Sequence, residues 1–175
     1  MAYTRNFGFR SFENIVRSGR FRTPASGAIV IGAPVMLDSA SAGRVKAATA
    51  GAAADGSAGV AVYEYILQQG VDAGLYGAGD LTTVPLGAYV QIVHGPGTKI
   101  WLRDTAAKTL YDGRSQAAYT PFAGSITLGT LAIGAALTPD GAGKWKVANG
   151  TSDGNWLTVE SVNTTTKVVE ARFRF

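Results

Sequence analysis

Residues 29–49 and 131–150 carry the same pattern twice, and that duplication limits what the chain can fold into. The first copy reads IVIGAPVMLDSASAGRVKAAT and the second LAIGAALTPDGAGKWKVANG. Ile31-Gly32-Ala33 answers to Ile133-Gly134-Ala135, and the turn aspartate Asp38 to Asp140. Gly43-Arg44-Val45-Lys46 then answers to Gly143-Lys144-Trp145-Lys146. The offset is 102 residues before the turn and 100 after it, so the single gap falls inside the turn, where length changes are tolerated best. Asp55-Gly56 against Asp153-Gly154 extends the match.

Each copy predicts a hairpin with one buried face. An apolar run ends in an Asp/Ser/Gly cluster and resumes with alternating basic and apolar residues. Asp can hydrogen-bond its own backbone in a turn, and Gly43 and Gly143 can take positive φ without a Cβ clash. Pro34, which is Ala136 in the second copy, cannot donate to a strand ladder. It predicts that its strand lies at an edge or begins after it. Two copies are too few for a solenoid, so the expectation is a pair of related β units.

At 175 residues the chain can bury one sizeable core or two small ones. Its 46% hydrophobic and 16% charged content excludes wholesale disorder. No apolar run approaches the roughly 18 residues that span a bilayer, so no membrane partner is expected. Residues 1–22 lack the continuous apolar stretch of a secretory signal. The absence of Cys removes disulfides, zinc–thiolate sites and thiol catalysis together. The 23 Gly favour turns and close backbone approach over long helices. The sequons at Asn149 and Asn163 carry little meaning without a secretion signal.

Beyond the repeat the body also reads as strands. Gly59–Leu67, Leu81–Leu86, Ala88–Val93 and Thr98–Arg103 are rich in β-formers, with Gly95-Pro96-Gly97 a forced turn. Residues 104–124 lack a clean period and form a long connection of the kind that often serves as a contact surface. Trp156–Val162 and Lys167–Phe175 predict a closing hairpin around Asn163–Thr166. In its last strand Val169, Ala171, Phe173 and Phe175 share one face, with Glu170, Arg172 and Arg174 on the other. The expected fold is therefore all-β: a small barrel or sandwich over 28–175, with related units at about 28–70 and 128–175.

Residues 1–27 differ from this body. They hold five Arg and one acid, Glu13, for a net of +4, whereas the remainder balances eleven bases against eleven acids. Tyr3, Phe7, Phe9, Phe12 and Phe21 interleave with Arg5, Arg10, Arg17, Arg20 and Arg22. This predicts an extended arm with at most a brief helical turn at Phe12–Val16. Arg and aromatic side chains are enriched at protein–protein interfaces, so Arg5, Phe7, Phe9, Arg10, Phe12, Arg17, Arg20, Phe21 and Arg22 are the expected partner-binding residues. An arm folded back on its own barrel is the structural alternative. Nucleic acid is disfavoured, because phosphate binding usually recruits more charge than this, including Lys.

Catalytic signals are sparse. His94 is the only histidine and flanks the Gly-Pro-Gly turn. The aspartates sit where turn chemistry accounts for them. A carboxylate pair of glycosidase type stays open on the count of acids alone. Gly141-Ala-Gly-Lys144 lacks the earlier Gly and the following Ser/Thr of a phosphate loop. No catalytic residue, metal ligand or cofactor is assigned, and the chain reads as a non-enzyme.

The string Gly32-Ala33-Pro34-Val35-x-x-Asp38, followed by Gly43-Arg44-Val45-Lys46-Ala47-Ala48 and Asp55-Gly56-x-x-Gly59-Val60-Ala61-Val62, resembles the small β-rich capsid decoration, or cement, proteins of tailed bacteriophages. The second copy, running into Val159-Glu160-Ser161 and Val168–Phe175, is similar to the second half of that family. The resemblance spans about 28–70 and 128–175 and leaves the arm and the middle unmatched. It implies a protein on the capsid exterior, often trimeric, that binds the major capsid protein and strengthens the shell, with no catalytic site or cofactor. The arm would grip the capsid protein or a neighbouring subunit. The competing readings are a tail, fibre or carbohydrate-binding module, with Trp101, Trp145 or Trp156 stacking on sugars, and a nucleic-acid-binding protein using the arm.

Overall fold

The computed structural model describes residues 7–10, 16–22, 29–55, 58–63, 83–84, 88–109, 115–116 and 118–175. The first half contains β1 (Phe7–Phe9), β2 (Val16–Arg22), β3 (Ile29–Val30), β4 (Pro34–Leu37), β5 (Val45–Ala47), β6 (Ala58–Tyr63), β7 (Thr83–Val84) and β8 (Tyr89–His94). The second contains β9 (Lys99–Arg103), β10 (Lys108–Thr109), β11 (Ser115–Gln116), a 3-10 turn at Leu128–Thr130, β12 (Ala136–Pro139), β13 (Trp145–Val147), β14 (Leu157–Asn163) and β15 (Val168–Phe173). The fold is all-β, with two main antiparallel sheets over one hydrophobic core.

Both copies of the repeat form the hairpins expected of them, in the same register. Val35, Met36 and Leu37 pair with Ala47, Lys46 and Val45. Leu137, Thr138 and Pro139 pair with Val147, Lys146 and Trp145. Each turn closes the same way: the Asp38 and Asp140 amides donate to the Arg44 and Lys144 carbonyls. Each aspartate also accepts the amide two residues on, from Ala40 and from Ala142. Pro34 is the first residue of β4, where its missing N–H is harmless. Its strand is internal, between β5 and β6, so an edge position does not apply.

The duplication extends beyond the hairpins. β4 pairs with β6 through Pro34↔Val60 and Val35↔Gly59, and β12 with β14 through Ala136↔Thr158 and Leu137↔Leu157. Val60 thus answers to Thr158 at an offset of 98 residues, the offset that also relates Asp55 to Asp153. One sheet runs β2-β8-β6-β4-β5; the other runs β9-β15-β14-β12-β13, with β1 added outside β9. Each half of the chain is therefore one five-stranded unit with the same strand order. The Gly95-Pro96-Gly97 turn carries the chain from one unit to the next. It is pinned by the amides of Gly95 and Gly97, which donate to the Phe175 and Phe173 carbonyls.

Alternation along the strands builds the core. Ile100 and Leu102 point inward from β9, as do Val169, Ala171 and Phe173 from β15. The other face of the closing hairpin is a charged ladder. Glu160 joins Lys99 and Arg172, and Glu170 joins Arg10. These half-exposed pairs add little stability each. The two units interlock through indoles. Trp145 Nε1 donates to the Gly32 carbonyl at 3.0 Å, and Trp156 Nε1 to that of Ala52 at 2.7 Å. Both rings are fully buried and meet edge to face at 6.0 Å, a pairing that adds about 1 kcal/mol beyond the area buried.

The N-terminal segment does not stand apart as an arm in its described portions. It is extended, but β1 pairs with β9 and β2 with β8. Val16, placed by sequence in a brief helical turn, opens β2; Phe12 and Ile15 lie outside the described residues. Backbone N–H and C=O groups seek ladder partners wherever strand edges are available, and alternating Arg and Phe suit a half-buried edge strand as well as a free arm.

Candidate partner-binding surface

The expected binding residues fall into three groups. Phe7 is buried and packs edge to face on Phe9 at 5.2 Å, while Phe9 and Phe21 are partly buried against the core. These three aromatics belong to the protein's own interior. Arg10 is exposed, its amide donating to the Lys99 carbonyl and its Nε to Glu170 at 2.7 Å. Arg17, Arg20 and Arg22 lie in β2 opposite Val93, Gln91 and Tyr89. Arg5 and Phe12 lie outside the described residues. Among the tryptophans proposed to stack on sugars, Trp145 and Trp156 are core residues. Trp101 lies across Gly8 of β1, where an added Cβ would sit 2.6 Å from the indole.

The two units part company at the turn that precedes each hairpin. Gly32 and Gly134 adopt the same backbone, at φ +88° and +86°, and their amides donate equivalently to Ala61 and Val159. In the first unit Phe7 covers this turn: a Cβ on Gly32 would lie 2.9 Å from that of Phe7, and Ile31 is only 8% exposed. In the second unit a Cβ on Gly134 would meet nothing within 4 Å, and Ile133 is 72% exposed. Val147 of the same hairpin is 44% exposed, and these two are the large apolar side chains most open to solvent among the described residues. Val147 also lines a shallow groove of about 180 Å³ with Ile126, Leu131 and Ala135 and the polar Ser125, Thr127 and Thr130.

Sequence reasoning missed Ile133 and Val147. The repeat alignment equates Ile133 with Ile31, and nothing local distinguishes them; only the segment folded over the first copy does. The long 104–124 connection, expected as a contact surface, is in part structural. Thr105 and Tyr119 bridge it, and Pro121–Ala123 run along the outer edge of β13 with Phe122 buried.

Electrostatically the hairpins differ in how they use one lysine position. Lys46 approaches the turn carboxylate Asp38 at 3.5 Å, whereas Lys146 reaches past its own turn to Asp153 at 2.9 Å. The Ala40 amide, with Lys46, holds the Asp38 carboxyl below its ordinary value. Asp153 is lowered by the Asn149 amide and Lys146. Burial pushes Glu160 up, but Lys99 and Arg172 together outweigh it and the net direction is down. His94 stacks on Phe175 at 5.3 Å. Among the described residues no three His, Asp or Glu side chains are grouped to hold a metal ion. No family model matches this chain, and the search of curated proteins likewise finds no match.

Proposed function

We propose that this chain is a structural virion protein that binds the outside of a phage capsid and stabilises it, with the major capsid protein as its partner. The observation that carries this reading is the uncovered Ile133-Gly134 turn. The same turn in the first unit is sealed by an aromatic side chain, and in the second it leaves Ile133 and Val147 open to a partner. The resemblance of the repeat to decoration proteins supplies the identity of that partner. The chain acts as a homo-oligomer, with a trimer favoured, on the capsid exterior after assembly in the host cytoplasm. Its role is adhesive, with no catalysis.

A modest patch suffices for this role, because several linked contacts on a lattice multiply affinity through effective concentration. The N-terminal segment would contribute its cations. Of these Arg10 is exposed beside its partner Glu170, whereas Phe7, Phe9 and Phe21 serve the core. Occupancy on capsids lacking the protein tests the proposal, comparing the native chain with Ile133→Lys and Val147→Lys. Each substitution should weaken binding about tenfold or more at unchanged melting temperature. Undiminished occupancy in both variants would remove the patch from the interface, and a native chain that fails to bind capsids would remove the function.

A further inference from the structure

A second surface feature stands on different residues and does not depend on the capsid reading. Two adjoining grooves, of about 420 and 540 Å³, share Asp104, Thr105 and Lys167. Tyr119 and Lys144 line the first, and Arg103 the second. Three buried polar atoms of these lining residues have no hydrogen-bond partner: Arg103 Nε, Asp104 Oδ1 and Tyr119 Oη. Buried polar groups in folded proteins are nearly always paired, so three orphans among the residues lining these two grooves call for a ligand.

The supports of these groups are firm. The Arg103 guanidinium lies over the Trp101 ring at 5.1 Å. The Thr105 and Tyr119 backbones exchange hydrogen bonds of 2.8 and 2.9 Å, and the Asp104 amide donates to the Lys167 carbonyl. Burial, then the nearby Asp140 and Asp104 carboxylates, push the Tyr119 phenol up, so it stays a hydroxyl donor. Neither Lys144 nor Lys167 has an ion-pair partner among the described residues. Lys167 holds φ +54°, a region where glycine would be unstrained.

We propose that this cleft binds a small acidic sugar. Lys167, which lines both grooves, supplies a cationic donor for an acid group, with Lys144 beside it in the first groove and Arg103 in the second; such pairs form the stronger, charge-assisted kind of hydrogen bond. Asp104 Oδ1 can only accept and repels an acid, so it requires a ligand hydroxyl. The Tyr119 hydroxyl serves a ring or hydroxyl oxygen. An inorganic anion satisfies the first demand alone and a neutral sugar the second alone; a sugar bearing a carboxylate or phosphate satisfies both.

Amide shifts of the full-length chain at residues 103–106, 118–120 and 165–167 test this during titration with glucuronate, glucose 6-phosphate, glucose and inorganic phosphate. At least one acidic sugar should bind about tenfold or more tightly than both glucose and inorganic phosphate, and comparing the two acidic sugars identifies the acid. Tyr119→Phe and Lys167→Gly should each lower that affinity at least about threefold. Lys167→Gly should melt no lower than the native chain, because glycine accepts the positive φ. Absence of shifts with both acidic sugars at millimolar concentration overturns the proposal. So does equal binding of glucose or phosphate, or undiminished affinity in both variants.

Discussion

The turns at Ile31-Gly32 and Ile133-Gly134 are alike in sequence, backbone angle and hydrogen bonding, yet one is interior and the other surface. What separates them is a distant strand. β1 joins the β9 edge and lays Phe7 over the first turn, and no described residue does the same for the second. A duplicated unit therefore need not duplicate its surroundings. The copy that gains a cover becomes core, and the copy that does not becomes available for contact.

The hairpins themselves give the largest expected difference. Trp145 occupies the place of Val45, and both are fully buried. Trp145→Val would make the second hairpin resemble the first, but should cost about 3 kcal/mol or more, because the indole also bonds the Gly32 carbonyl across the units. A loss under about 1 kcal/mol by denaturant unfolding would mean the units do not depend on that contact. Next come the paired glycines. Gly134→Ala should cost only the backbone strain of positive φ, about 1 kcal/mol. Gly32→Ala should cost about 3 kcal/mol, because its Cβ also collides with Phe7. Equal losses would show that Phe7 does not seal the first turn.

Truncating the isoleucines is a milder form of the same comparison. Ile31→Ala should destabilise by about 2 kcal/mol, and Ile133→Ala by less than about 0.5 kcal/mol, as read from matched melting curves. The smallest effect is in acid. Asp38, Asp153 and Glu160 are all held below their ordinary values in the folded chain. The unfolded chain therefore binds more protons in that range, and the stability these groups contribute is present above about pH 4.5 and lost as pH falls further. Lys46→Met should relax Asp38 and Lys146→Met should relax Asp153, each in part, because the Ala40 and Asn149 amides stay in place. The second change should flatten the acid limb more, since its contact is the closer at 2.9 Å against 3.5 Å. The reverse order would contradict the different use of the two lysines.

Much of the fold was legible before any coordinate. Asp38 and Asp140 mark their turns, the gap within the hairpins falls where they are least constrained, and Val169, Ala171 and Phe173 share a buried face as their spacing of two requires. The N-terminal segment was legible only as extended. Its Arg/Phe alternation fits a free arm and an edge strand equally, and pairing of β1 with β9 and β2 with β8 depends on edges far away in sequence. The exposure of Ile133 was not legible, because it looks like the buried Ile31 it repeats, and Val147 repeats the half-buried Ala47.

The sequence alone settled the β class, the two hairpins and their turns, because each rests on residues within a few positions of one another and on a period of two. The tertiary structure decided which copy is covered, where the described N-terminal aromatics go and which polar atoms are buried without a partner. Those outcomes turn on contacts such as Phe7 with Gly32 and Trp145 with the Gly32 carbonyl, made between segments that no local pattern relates.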